Sequence, residues 1–216
     1  MTANKTRKSL PMFWILLLGS MPILAFMLWL QPERAPLDQK TLPWNAYYDD
    51  SGQLHALGLQ IGKSTLQDAV DLYGKDVEVK LFSEADESNK SVEAFFPVMY
   101  IGSIKAGLAL RLNASVEHIE QAYSKGKKTQ LTSSGAREVE LYSEEVKSFL
   151  NSTIHSVTLV PRKNLDQVSI SKRFGEPDRK IKQDDGLEHW FFNKLGLEMI
   201  IDPEGPEALQ YVQSPA

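Results

Sequence analysis

The pattern of apolar and polar positions divides the chain into one long apolar run and a series of short periodic segments. Residues 12–30 read MFWILLLGSMPILAFMLWL, nineteen positions without a charge. A helix of that length rises about 28 Å, close to the ~30 Å hydrocarbon core of a bilayer. Trp14 and Trp29 sit near its ends, where indoles favour the membrane interface. Pro22 falls mid-span, where membrane helices tolerate it. The run predicts an uncleaved transmembrane helix in contact with the lipid bilayer. The rival reading is a cleaved signal peptide, whose apolar region is shorter and ends in small residues; here the run ends Leu28-Trp29-Leu30-Gln31-Pro32. Lys5, Arg7 and Lys8 precede the run, which places the N-terminus in the cytoplasm and the remainder across the membrane. Residues 31–43 hold three prolines and read as a linker.

Beyond the linker the periods are short. Residues 53–61 read as a strand. Ser64 with Gln67 fits a capping box, and Leu66, Ala69, Val70 and Tyr73 share one helical face up to Gly74. Strands are predicted at 76–82, 92–98 and 107–113. Ser115 caps a helix with Val116, Ile119, Ala122 and Tyr123 on its apolar side. Residues 125–137 read as a polar, basic loop, followed by a short strand at 138–142 and a helix opened by Ser143, Glu144 and Glu145. A strand at 154–160, a helix at 165–174 and strands at 187–192, 196–202 and 208–212 complete the chain.

Two stretches repeat one order of features. A helix closes on Tyr73-Gly74, and strands carrying Phe95-Phe96 and then Gly107-Leu108 follow. A second helix closes on Phe174-Gly175, and strands carrying Phe191-Phe192 and then Gly196-Leu197 follow. The expected class is therefore α+β: a single N-terminal transmembrane helix followed by two related helix-plus-antiparallel-sheet units. The expected divisions are a cytoplasmic N-terminus at 1–11, the span at 12–30, the linker at 31–43, a first unit at 44–152 and a second at 153–216.

The second stretch, with Ile170, Phe174-Gly175-Glu176-Pro177, Trp190-Phe191-Phe192, Leu197–Ile201 and Leu209–Val212, resembles the small outer-membrane assembly lipoproteins of the BamE (SmpA/OmlA) type. Gly62, Ser64-Thr65, Ala69 and Tyr73-Gly74 echo the same helix in the first stretch. The tandem form is similar to the β-lactamase inhibitory protein fold. The resemblance covers roughly residues 58–113 and 154–213. It implies a periplasmic module that works by binding. The family's lipidated cysteine is absent.

Composition narrows the possibilities. Of 216 residues, 42% are apolar and 24% charged, a globular balance. The net charge is −4; the first ten residues contribute three positive charges, which leaves −7 for the rest. An acidic domain argues against nucleic acid as a partner. With no cysteine, disulfides, thiolate metal sites and cysteine nucleophiles are excluded.

No catalytic residue, metal site or cofactor is predicted. His55, His118, His155 and His189 lack ligand spacing. The acidic pairs Asp49-Asp50, Glu144-Glu145 and Asp184-Asp185 suit turns and helix starts. Trp190, Phe192 and Tyr211 are candidates for an aromatic protein-contact surface, since such residues are enriched at binding hot spots. The alternative is that they are sheet core. Lys125, Lys127, Lys128 and Arg137 are candidates for contact with anionic headgroups or an acidic partner, against the plainer reading of a solvated loop. The leading expectation is a membrane-anchored, periplasmic protein-interaction module of the bacterial cell envelope, at the inner membrane, with another envelope protein as partner. An envelope hydrolase of wall or glycan, or an apolar-ligand or lipid carrier, are the alternatives. A hydrolase predicts a cleft with a carboxylate of raised pKa; a carrier predicts a continuous apolar pocket between sheet and helices.

Overall fold

The structure is a computed structural model that describes residues 17, 20–22, 26–27, 38–132 and 135–213. The chain divides into two compact units, Met1–Leu37 and Asp38–Ala216. In the first, residues 17, 20–22 and 26–27 are helical, and most of the run at 12–30 lies outside the described residues. Among the described residues no helix is long and apolar enough to cross a membrane. The spanning helix predicted at 12–30 is thus not shown, and it falls largely outside the described residues.

The second unit is mostly β, which corrects the expected α+β class. In chain order its strands are β1 (Tyr47–Tyr48), β2 (Leu54–Ala56), β3 (Leu59–Gln60), β4 (Glu78–Ser83), β5 (Ser91–Ile101), β6 (Ile104–Leu112), β7 (Lys128–Leu131), β8 (Arg137–Glu140), β9 (Ile154–Pro161), β10 (Arg179–Lys182), β11 (Glu188–Phe192), β12 (Leu197–Ile201) and β13 (Ala208–Val212). The helices are short: α1 (Leu66–Tyr73), α2 (Val116–Ser124), α3 (Ser143–Ser148) and α4 (Gln167–Phe174). The first three strands form a small sheet. The other ten form one antiparallel sheet in the order β10-β11-β12-β13-β9-β6-β5-β4-β8-β7. The stretches expected as two related units share one continuous sheet, joined where β6 pairs with β9 from Ala106↔Pro161 to Leu112↔Ile154.

The extra β content comes from segments without a buried alternation. All four residues of β7 and of β10 are exposed. These are the two edges of the large sheet, and the Lys and Arg on them oppose further strand addition. Hydrophobic periodicity cannot find such strands. Residues 99–106 fall between two predicted strands, but β5 and β6 continue through them to a turn at Gly102-Ser103. Pro97 lacks the N–H that a regular ladder needs, and the register shifts between Phe96 and Met99. Residues 53–61 are a hairpin instead of one strand, because Leu57 (φ 54°) and Gly58 (φ 76°) make a tight turn with two positive φ angles.

One face of the large sheet carries the core. Val79, Leu81, Val92, Ala94, Phe96, Leu108, Leu110, Val157, Leu159, Trp190, Phe192, Met199, Leu209 and Tyr211 alternate inward and are buried. The helices pack on this side. Thr65 caps α1, its side chain accepting from the Asp68 N–H while the Asp68 carboxylate accepts from the Thr65 N–H at 2.7 Å. That box lies one residue beyond the Ser64 and Gln67 of the sequence reading. Tyr73, the last residue of α1, meets Phe96 edge-on at 5.9 Å. Phe174, the last residue of α4, lies against Phe192 at 6.0 Å. Phe96 pairs with Leu108, and Phe192 with Leu197. The aromatic-Gly endings noted in the sequence therefore occupy matching places on the two halves of one sheet.

Candidate functional site

The aromatic residues singled out from sequence are core, not surface. Trp190, Phe192 and Tyr211 are 2%, 3% and 0% exposed. The two-residue period of β11 does put Trp190 and Phe192 on one side, but it is the side that the helices cover. The Tyr211 hydroxyl donates to the Pro43 carbonyl at 2.7 Å, tying the last strand to the start of the domain.

The basic cluster is interleaved with acids. Lys125 pairs with Glu145 at 3.1 Å, and Arg137 pairs with Glu87 at 2.8 Å while donating to the Ala85 carbonyl. Lys127 lies 4.0 Å from Glu140, and Lys128 stands opposite Glu140 in the ladder. Lys125, Lys127 and Arg137 each have a carboxylate within 4 Å, and Lys128 has one opposite it in the ladder.

The histidines are spread over the fold. His55 contacts Asp49 at 2.9 Å and stacks on Tyr47. Asp49 is held well below the usual carboxylate range, mainly by hydrogen bonds from Ser51 and His55. His118 stacks on Phe149 and reaches Ser148 at 2.8 Å. His155 is exposed. His189 meets Glu198 at 2.5 Å, and its Nε2 is buried with no hydrogen-bond partner among the described residues. Asp185 closes the turn before β11 by accepting from the Leu187 N–H, and Glu144 and Glu145 lie in the first turn of α3. Among the described residues, no group of three or more His, Asp or Glu is arranged to hold a metal ion.

What the structure does present is the other face of the ten-stranded sheet. The ring contacts and side-chain hydrogen bonds of the helices all lie away from it. Register places its residues in rows. One row runs Lys128, Glu140, Lys80, Glu93, Arg111, alternating in charge across β7, β8, β4, β5 and β6. Lys80 sits 2.9 Å from Glu138 and 3.3 Å from Glu78, and the Glu138 contact holds its ammonium above the usual range. Burial pushes the Glu93 carboxyl up, with Arg111 opposing. A second row, Gly107, Val160, Ala208, Ile200, His189, Ile181, crosses the other half and is mainly apolar. Phe95 meets Phe82 edge-on at 5.8 Å, and Arg179 lies over the Phe191 ring at 4.3 Å.

The sequence carried a signal for this face that the choice of Trp190 and Phe192 missed. In each doublet, Phe95-Phe96 and Phe191-Phe192, a strand turns one ring in and the other out. Phe95 and Phe191 are the outward members.

At the end of this face nearest the β5 bulge is an open pocket of about 410 Å³, walled by Phe95, Pro97, Gly107, Val160, Pro206 and Arg162. The Arg162 Nη2 donates to the Pro97 carbonyl at 2.8 Å. A smaller pocket of about 260 Å³ lies on the helix side, lined in part by Trp44, Leu165 and Phe174. No family model matches this chain, and neither a curated protein nor a solved structure matches it.

Proposed function

We propose that residues 38–213 form a protein-binding module of the bacterial cell envelope, acting through the uncovered face of the sheet and performing no chemistry of its own. The observation that carries this reading is that face itself. It spans ten strands, has no helical cover among the described residues, and sets half-buried aromatic and aliphatic side chains among charges of both signs. Apolar anchors within a polar surround are what protein interfaces use. At the hairpin end Tyr100 is 66% exposed, and at the far edge Ile181 is 40% exposed.

The alternatives draw less support. Glu93 has the raised pKa a hydrolase would want, but it stands in a flat row beside Arg111 and lines none of the described pockets. A lipid carrier needs a large continuous cavity under the helices; Trp190, Phe149 and Leu66 are buried there, and the helix-side pocket holds only about 260 Å³. Location at the inner membrane, with the domain on the periplasmic side, is part of the proposal. It rests on the basic and then apolar composition of residues 1–30. The likeness to BamE-type units likewise rests on the motif residues alone.

The test is site-specific photocrosslinking in intact cells. Photoreactive side chains at Tyr100, Phe191 and Ile181 are expected to yield a protein adduct, while one at the exposed helix position Glu117 yields none. Adducts of equal yield from Glu117, or none from the three sheet positions, would reject the reading.

A further inference from the structure

The two edges of the large sheet differ in what their side chains meet. On β7 the one cation, Lys128, stands opposite Glu140. β10 reads Arg179-Lys180-Ile181-Lys182, and all four residues are exposed. Among the described residues none of its three cations has a carboxylate within 4 Å. Aromatic rings hold two of them in place instead. The Lys180 Nζ stands 3.5 Å from the centroid of the buried Trp190 ring, and Arg179 lies over Phe191 on the other face. The chain beyond its first ten residues is acidic, so this edge is a positive strip on a negative body.

The backbone of the strip is open as well. Gln183 donates to the Leu187 carbonyl at 2.8 Å, which makes these two a hydrogen-bonded pair. By the alternation of the β10–β11 register, Ile181 and Arg179 also turn their N–H and C=O groups toward β11, and Lys180 and Lys182 turn theirs away. β10 ends the sheet, with no strand beyond it among the described residues. The outward donors and acceptors of Lys180 and Lys182 therefore stand in a row at strand spacing. Another extended polypeptide matches such a row; a free anion can meet the cations but not the carbonyls.

The side chains narrow the sequence of that polypeptide. Lys180 and Lys182 share one face, and Ile181 and Arg179 the other. Every neighbouring pair in this sheet is antiparallel. A strand added in the same way sets acids opposite Lys182 and Lys180 and an apolar residue opposite Ile181, which is 40% exposed. Opposite charges across a strand pair stabilise it and like charges oppose it. The cations that keep the β10 of a second copy away thus favour an acidic strand, and the β7 of a second copy carries no acid to offer.

We propose that β10 accepts an extended segment of a partner protein as a further strand of the sheet, the segment alternating acidic and apolar residues. This rests on the protein-binding role proposed above and names the part of the partner that docks at the edge of the uncovered face.

The probe is the fluorescein-labelled peptide Thr-Glu-Val-Glu-Val-Glu-Thr amide, followed by anisotropy with the full-length chain in nonionic detergent. In the added strand the glutamate N–H groups point at β10 and the valine N–H groups point away. N-methylation of the glutamates should weaken binding about tenfold, and N-methylation of the valines about twofold at most, although the two peptides carry the same charge. Lys182→Pro removes one outward N–H at a position where an edge strand tolerates proline, and should weaken the unmethylated peptide about tenfold. If that variant does not fold, the methylated pair decides the matter on the unmodified chain. Equal binding of the two methylated peptides, as a merely charged surface would give, overturns the proposal. So does failure of the unmethylated peptide to bind, or binding that a folded Lys182→Pro leaves unchanged. The crosslinking experiment separates the two levels. Adducts at Tyr100, Phe191 and Ile181 that persist at full yield in Lys182→Pro would leave the binding face standing and reject the edge assignment. Absence of adducts from the unmodified chain would remove the binding face itself.

Discussion

The two halves of the large sheet are alike on the side that meets the helices and unlike on the side that meets solvent. Inward, each half sets the terminal aromatic of a helix on an aromatic strand residue: Tyr73 on Phe96, Phe174 on Phe192. Outward, the β7-β8-β4-β5-β6 half carries the alternating row from Lys128 to Arg111. The β9-β13-β12-β11-β10 half carries Val160, Ala208, Ile200, His189 and Ile181. Burial restricts the inner positions to shapes that fill the core. Neither row is needed to fill the core, and each lies beside a row of mixed character: Phe95 and Ala109 continue into Thr158, Gln210, Glu198, Phe191 and Arg179. That freedom of the outer positions is the reason to look for recognition on the outer side.

The strongest test of the inner likeness is to cut the matching aromatic from each half. Phe96→Ala and Phe192→Ala should each cost ~3–5 kcal/mol. Because β6 and β9 join the halves, either variant should unfold in one cooperative transition, followed by circular dichroism and tryptophan fluorescence in urea. Two separated transitions would show that the halves are independent after all. A smaller effect tests where the inner likeness stops. The Tyr73 hydroxyl donates to the Leu57 carbonyl, and burial pushes its pKa up; Phe174 has no such group. Tyr73→Phe should cost ~1–2 kcal/mol, because it leaves that carbonyl without its donor. A neutral result would mean that the hydroxyl adds nothing to the ring contact.

On the outer side, Lys80 is the cation with two carboxylates within 4 Å. Lys80→Gln should cost ~0.5–1 kcal/mol at low salt and less as salt is raised, since partly exposed pairs are screened. Ile200→Ser in the other half should cost a similar amount with no salt dependence. Matching salt profiles for the two would erase the distinction between the rows.

How much of this was legible follows from what each residue is for. The regular buried elements announce themselves by period: Leu66, Ala69 and Val70 mark α1, and the alternation through Ile154–Pro161 marks β9, whereas the turn at Leu57-Gly58 and the bulge after Phe96 break it. The edge strands β7 and β10 bury nothing and carry no period, and without them the pattern reads as α+β. The candidate site failed for a related reason. Period 2 tells which residues share a side, as it did for Trp190 and Phe192, but not which side the helices cover. That is settled by contacts such as Phe174 on Phe192, which lie far apart in sequence. Arg162 and Gly107 meet at one pocket through the β6–β9 pairing, which no local pattern encodes.

The smallest effect probes the charged row most finely. Glu93 lies between Lys80 and Arg111, and burial raises its pKa above the ordinary 4.5 while Arg111 pulls it down. A carboxyl whose folded pKa exceeds its unfolded value holds its proton more tightly when folded. The resulting penalty is absent below the unfolded value, grows as pH rises from about that point, and is complete above the folded pKa. Glu93→Gln removes the penalty. The variant should therefore match or exceed the parent at pH 7, and its advantage should shrink as pH falls toward 4.5. The group is only partly buried, so screening keeps the change to no more than about 2 °C in Tm. Arg111→Ala should act in the opposite sense, raising the Glu93 pKa further and lowering Tm at pH 7. Thermal melts of the parent and both variants from pH 4 to pH 8 decide the matter. If Glu93→Gln loses stability at pH 7 and regains it in acid, the attraction of Arg111 outweighs burial, and the row acts as a set of ion pairs rather than as a surface held ready for a partner.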